Sequence, residues 1–183
     1  MKRLPTDIDI HTHIGEVRAD AILCVDPTER ECLPTGEGKL SAGIHPWNAD
    51  KADQNVWTTL KNWLNDKRIV AIGEVGIDRL RGPQIEIQTD VFERQAELAV
   101  EYKLPLIIHC VRAFDILLRI HQHTPAFADS QWIVHGFRGK PELAKQLLNC
   151  GIDLSFGQLY NIESFNITPI ERRYRETDTT QNL

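Results

Sequence analysis

The sequence predicts an α/β fold built on a parallel sheet. Short apolar runs recur along the chain, helical patterns lie between several of them, and the runs are apolar on both sides, as in strands covered on both faces. The runs cover 8–11, 21–25, 40–45, 69–74, 106–109, 132–135 and 152–156. Val56, Trp57, Leu60, Trp63 and Leu64 share one face of a first helix. Asp90 and Glu93 mark the start of a second, continued by Val91, Leu98, Ala99 and Tyr102. Ala113, Ile116, Leu117 and Ile120 make a third stripe. Pro141 suits the first turn of a fourth, with Leu143, Ala144, Leu147 and Leu148 behind it and Gly151 to close it.

The composition narrows the function classes. The chain has 183 residues, 42% apolar and 26% charged, which fits one folded domain spanning 1–183. No run approaches the roughly 18 apolar residues of a membrane span, and no long apolar segment follows residues 1–7, so no membrane partner and no signal peptide are expected. The net charge of −5 rules out a general basic coat and leaves nucleic-acid binding to a local patch. The four cysteines form no CxxC pair, which predicts reduced thiols and a cytoplasmic protein. Cys24 and Cys150 read as small buried apolar residues.

The chemistry sits at the ends of the apolar runs. His11 and His13 end the first, His45 the third, Glu74 the fourth, His109 the fifth and His135 the sixth. In a parallel α/β fold the strand C-termini share one face, which carries the site. Residues two apart on a strand point the same way, so His11 and His13 can hold one divalent ion. Glu74 can bridge a pair, and His109 and His135 can serve a second ion. Imidazole with carboxylate suits Zn, Mn, Fe or Ni, with Mg less favoured. Two ions can activate a shared water and stabilise an in-line displacement. Each motif alone is weak: a lone histidine after an apolar run is more often a hydrogen-bonded core residue, and Gly-Glu-x-Gly is more often a turn. Together they carry weight, because five of seven histidines fall at strand ends. His45 is evenly balanced between a site and a structural role. His121 and His123 read as surface. Arg79, Arg81, Arg112, Arg138 and Lys140 follow the ligands within a few positions. As a group they favour an anionic substrate, a phosphodiester first, since a guanidinium fork matches phosphate. Cys110, beside His109, should point to the opposite face, which argues against a cysteine nucleophile.

These residues resemble the TatD family of metal-dependent hydrolases, which are TIM-barrel deoxyribonucleases. The matching pieces are Asp9-Ile10-His11-Thr12-His13, Gly43-Ile44-His45-Pro46, Ile72-Gly73-Glu74-Val75-Gly76-Ile77-Asp78, Phe92-Glu93-Arg94-Gln95, Leu104-Pro105-Leu106-Ile107-Ile108-His109, Val134-His135-Gly136-Phe137, Leu154-Ser155-Phe156-Gly157 and Glu176-Thr177-Asp178. The resemblance implies a (β/α) barrel with two divalent metal ions, Zn, Mn or Mg. It implies His11, His13 and Asp178 on one ion, Glu74 as the bridge, and His109 and His135 on the other. Asp178 would orient or deprotonate the attacking water, so Asp178 and Glu74 would be catalytic, and a metal-bound hydroxide would attack a phosphodiester of DNA. His45 and Asp78 would lie in the substrate cleft, with Arg112, Arg138 and Lys140 on phosphates. The sequence departs from the family pattern in Ile14-Gly15 after His13 and in Cys110-Val111-Arg112 after His109. Only five residues follow Asp178, and the last strand, near 172–177, carries three arginines. The expected fold is therefore a TIM-like barrel incomplete at its C-terminal end, either with the last strand exposed at an open seam or without regular closure. Its uncovered side would favour a homo-oligomer. The alternatives are a metal hydrolase of a small-molecule amide or phosphomonoester, and a degraded barrel kept as a binding module.

Overall fold

The computed structural model describes residues 3–178. Eight parallel strands close into a ring, each bonded to its sequence neighbours and the last to the first: β1 Asp9–Thr12, β2 Ala21–Val25, β3 Lys39–Ala42, β4 Ile69–Asp78, β5 Leu106–Val111, β6 Trp132–Val134, β7 Asp153–Phe156 and β8 Arg173–Arg175. Five helices lie outside: α1 Gln54–Trp63, α2 Ile85–Tyr102, α3 Phe114–His123, α4 Pro141–Asn149 and α5 Ile162–Ile167. Among the described residues, no helix separates β1 from β2 or β2 from β3, and none follows β8.

Local chemistry explains the helix ends. Asp53 caps α1 by accepting from the Val56 N–H at 2.9 Å. Pro141 opens α4, and Gly151 follows it with φ 86°. The second helix begins at Ile85 rather than Asp90, and Gln84 occupies the cap position without a side-chain bond. The Asp–Glu pair therefore lies inside the helix, because burial of Gln88 and Phe92 sets its extent rather than a capping box. The short helix α5 carries too few apolar positions for a legible stripe. His121 is not simply surface: it is half-buried in the last turn of α3 with its ring 4.7 Å from that of Trp132.

The strand faces sort into two cores. Ile10, Ile22, Ala71, Ile107, Ile133 and Tyr174 fill the barrel interior with Leu4. The larger core lies between strands and helices, with Leu40, Ile72, Ile108, Leu154 and Phe156 facing Trp57, Phe92, Leu117 and Leu147. Closure at the last strand is narrow. β8 meets β1 at a single register pair, Asp9 with Arg175, while its pairing with β7 runs over three positions. The arginines of that strand now have a physical reason. Tyr174 points into the barrel and is fully buried, whereas Arg173 lies outside over the Phe165 ring at 4.2 Å and Arg175 is exposed. Outside cover on β8 is thus partial, and long polar side chains suit it.

Candidate metal centre

All six strand-end donors face the C-terminal mouth of the barrel, and Glu74 is their hub. Its Oε1 lies 3.1 Å from His45 Nε2, 2.7 Å from His109 Nδ1 and 2.8 Å from His135 Nε2. Its Oε2 lies 3.2 Å from His11 Nε2 and 3.1 Å from His13 Nε2. The Gly-Glu-x-Gly segment is not a turn but the interior of β4, the longest strand. Gly76 is required there, because a Cβ would collide with the His109 carbonyl oxygen on β5. That close approach brings Glu74 and His109 together.

Asp178 closes the ring of donors. Its Oδ1 stands 3.8 Å from His11 Nε2 and 3.9 Å from His13 Nε2. Three bonds to β1 hold the segment: Asp178 N–H donates to the His11 carbonyl at 3.0 Å, Thr177 N–H to Asp9 Oδ1 at 3.2 Å and Thr177 Oγ1 to Asp9 Oδ2 at 2.6 Å. Asp78 accepts from Trp47 Nε1 at 2.7 Å and lies 3.1 Å from His109 Nε2.

The electrostatics follow from packing five imidazoles around one carboxylate. Burial disfavours the charged form of Glu74, yet His135 and His11 outweigh it and hold the carboxyl well below its ordinary range. Burial and the neighbouring His135 lower His11. Burial also opposes charge on His135, but Glu74 and Glu176 raise it well above the ordinary value. His13 is raised, since Glu74 and Asp178 outweigh its partial burial.

One feature is left unbalanced. His11 is fully buried, and neither ring nitrogen makes an aligned hydrogen bond among the described residues. His135 Nδ1 and Glu176 Oε2 are likewise buried without one. Buried polar atoms normally find a partner. Donor atoms of His11, His135 and Asp178 lie within 4.8 Å of one another, as do those of His45, Glu74 and His109. A divalent cation fits this set, since neutral imidazole and charged carboxylate are its ligands. These groupings cut across the implied partition: His135 meets His11 and Asp178, and His45 takes a donor position beside Glu74.

The basic residues divide. Arg112 and Arg138 are exposed and line a groove with His109, His135 and Asp178. Lys140 is exposed at the start of α4 and lines none of the described cavities at the mouth. Arg79 is tied to Asp115 at 2.7 Å. Arg81 lies over the Trp47 ring at 4.8 Å. Cys110 packs on the outer core, and burial pushes its thiol up to about 12.

Several site residues escaped the sequence reading. Cys24 is not a bland core residue: its Sγ accepts the Glu74 N–H at 3.1 Å and lines the central cavity. Burial, then the Glu74 charge, pushes that thiol well up. Glu176 accepts from Gly136 N–H at 2.6 Å and stands 3.6 Å from His135 Nδ1. Gln95 bonds both backbone groups of Ile44, and Gln88 does the same for Asp78. These two glutamines lie seven apart on α2, one face of a helix, and that spacing was a readable signal.

A sequence model described as "TatD related DNase" matches residues 35–179. The chain belongs to the TatD related DNase family. An uncharacterized metal-dependent hydrolase of Buchnera aphidicola is 27% identical over 154 residues, 76% of this chain and 58% of that protein. The 3'-5' ssDNA/RNA exonuclease TatD of Erwinia billingiae is 33% identical over 116 residues, 62% of this chain and 44% of that protein. This chain thus spans about half the length of the curated relatives it matches. Among solved structures, a TatD homolog from Escherichia coli superposes with TM-score 0.71 at 24% identity, over 86% of this chain and 66% of that one. A TatD-like protein from Archaeoglobus fulgidus gives 0.63 at 16% identity, over 93% and 84%. Both likenesses support the barrel. Among the described residues, no helix is long and apolar enough to cross a membrane.

Proposed function

We propose that this chain is a divalent-metal-dependent hydrolase of phosphodiester bonds, acting as a deoxyribonuclease. The observation that carries the reading is the convergence of five imidazoles on Glu74, with His11 fully buried and neither of its ring nitrogens in an aligned hydrogen bond among the described residues. His11, His13, Glu74, His109, His135 and Asp178 would hold two ions, with His45 as a further donor. Ions bound there would lower the pKa of water and neutralise phosphate charge.

The chain's own residues do the rest. Glu74, kept ionised, is the charged anchor of the donor set. Asp178 is partly exposed at the rim, placed to accept the proton of an attacking water. Glu176 faces the outer nitrogen of His135 and orients that ring. Asp78 does the same for His109. Arg112 and Arg138 supply guanidinium groups to the substrate phosphates, and the groove they line sets its path. The substrate reading is supported by the relatives named as ssDNA/RNA exonucleases.

The whole chain acts as one unit in this reading, in a reducing, cytoplasmic setting that suits four free cysteines. Self-association would use the thinly covered side near β8, where Ile162, Ile167 and Ile170 are exposed. Light scattering that finds a strict monomer at high concentration would remove that part.

The test is hydrolysis by purified, metal-loaded protein of single-stranded DNA, a phosphomonoester and a cyclic amide. Cleavage of DNA alone supports the proposal. Turnover of another substrate with DNA untouched overturns the nuclease reading, and no turnover of any substrate leaves a binding module.

A further inference from the structure

Cys24 lies where no reading of the sequence placed it, inside the ring of donors at the end of β2. We propose that Cys24 is a thiolate ligand of this centre, so that one of its ions is thiophilic, zinc-like rather than magnesium-like. The inference rests on the metal reading above and adds the identity of the ion.

Cys24 Sγ, a His11 ring nitrogen and a Glu74 carboxylate oxygen lie within 4.8 Å of one another. Donors around tetrahedral zinc, at about 2.3 Å for sulfur and about 2.0 Å for nitrogen, stand roughly 3.5 Å apart, so a small closing motion brings the three into a shell. The state of His11, a member of the same group, agrees with this. Its ring is fully buried, and neither nitrogen has an aligned partner among the described residues. An imidazole so placed is poorly satisfied by the protein alone and is completed by a cation.

The thiol is held in place for this role. The backbone N–H of Glu74 donates to Sγ at 3.1 Å, which fixes the sulfur beside the hub carboxylate. On coordination the S–H bond breaks, the proton goes to solvent and a sulfur–metal bond forms, with no change of oxidation state. Sulfur in the set shifts preference toward zinc, cobalt or cadmium, whereas magnesium takes oxygen ligands. The other thiols do not compete: Cys32 is exposed, and Cys110 and Cys150 are packed against the outer core.

The experiment is cobalt(II) titration of the metal-free chain under non-thiol reductant, read by absorption. Cobalt binding should raise a thiolate-to-cobalt charge-transfer band in the near ultraviolet. Cys24→Ser should lose that band while still binding cobalt, and Cys110→Ser should keep it. Cadmium affinity should fall at least about tenfold in Cys24→Ser, and magnesium affinity should not change. A protein that binds cobalt without the band, or a band that survives in Cys24→Ser, overturns the thiolate assignment and leaves the hydrolase reading standing. Failure to bind any cobalt overturns both.

Discussion

Both ends of this barrel bury charge, but they do so differently. At the N-terminal end, Asp153 is fully buried and accepts from Arg172 Nε at 2.6 Å, from Gln131 Nε2 at 2.7 Å and from Arg3. Gln131 also donates to the Tyr174 hydroxyl at 2.6 Å and accepts the Leu4 N–H at 2.9 Å, and that hydroxyl donates to the Leu4 carbonyl at 3.2 Å. Among these groups only Arg172 Nη2 is buried without a partner. At the C-terminal end, five imidazoles surround Glu74, and among the described residues neither nitrogen of the buried His11 makes an aligned hydrogen bond, although Glu74 Oε2 lies 3.2 Å away. The first network is complementary and closes on itself. The second leaves buried imidazole and carboxylate atoms without aligned partners, and its donor groups are spaced as a cation would need them. The difference separates a structural use of buried polarity from a functional one.

Mutations should separate the two ends in the same way. The largest effect belongs to Asp178→Ala: kcat falls by about 10²–10⁴, while the melting temperature changes little because the side chain is partly exposed. A fully active variant would remove Asp178 from the site. At the opposite end, Asp153→Ala should cost about 3 kcal/mol of stability, since two arginines lose their carboxylate, with metal content unchanged. Chemical denaturation checks this, and loss of metal in that variant would blur the contrast.

A smaller effect is expected from Arg112→Ala with Arg138→Ala. KM for DNA should rise by about tenfold and lose some of its salt dependence, with stability unaltered, as steady-state kinetics over a salt series would read. The smallest effect is on pH dependence. In metal-free protein the raised His135 stabilises below 6.5, and that contribution is lost as pH climbs through its elevated value. Glu74 and Glu176, both lowered, stabilise above 4.5 and lose that contribution as pH falls. Metal binding needs deprotonated imidazole, so its stabilisation grows with pH. Thermal melts above pH 6.5 should therefore slope downward in chelator and upward with metal, by a few degrees. Parallel slopes would contradict the imidazole ligands.

The sequence carried most of this architecture because strand ends in a parallel sheet must share a face. His11, His13, Glu74, His109 and His135 were therefore legible from position, while position alone left His45 balanced between a site and a structural role. Cys24 was not, because a cysteine inside an apolar run looks the same whether sulfur faces the core or the mouth. Glu176 shows in the sequence only as part of the Glu176-Thr177-Asp178 motif, since its role depends on the third dimension, where it meets Gly136 and His135. The arginines near the last strand pointed correctly to weak outer cover, yet the ring closes, because Tyr174 supplies the one inward anchor that β8 needs.

Metal analysis of the purified protein, compared with Glu74→Ala and Asp153→Ala, tests the central claim most directly. Two divalent ions per chain are expected in the native protein and in Asp153→Ala, and a loss of both in Glu74→Ala. A native chain that takes up no ion after reloading, or a Glu74→Ala variant that keeps its full complement, would contradict the account.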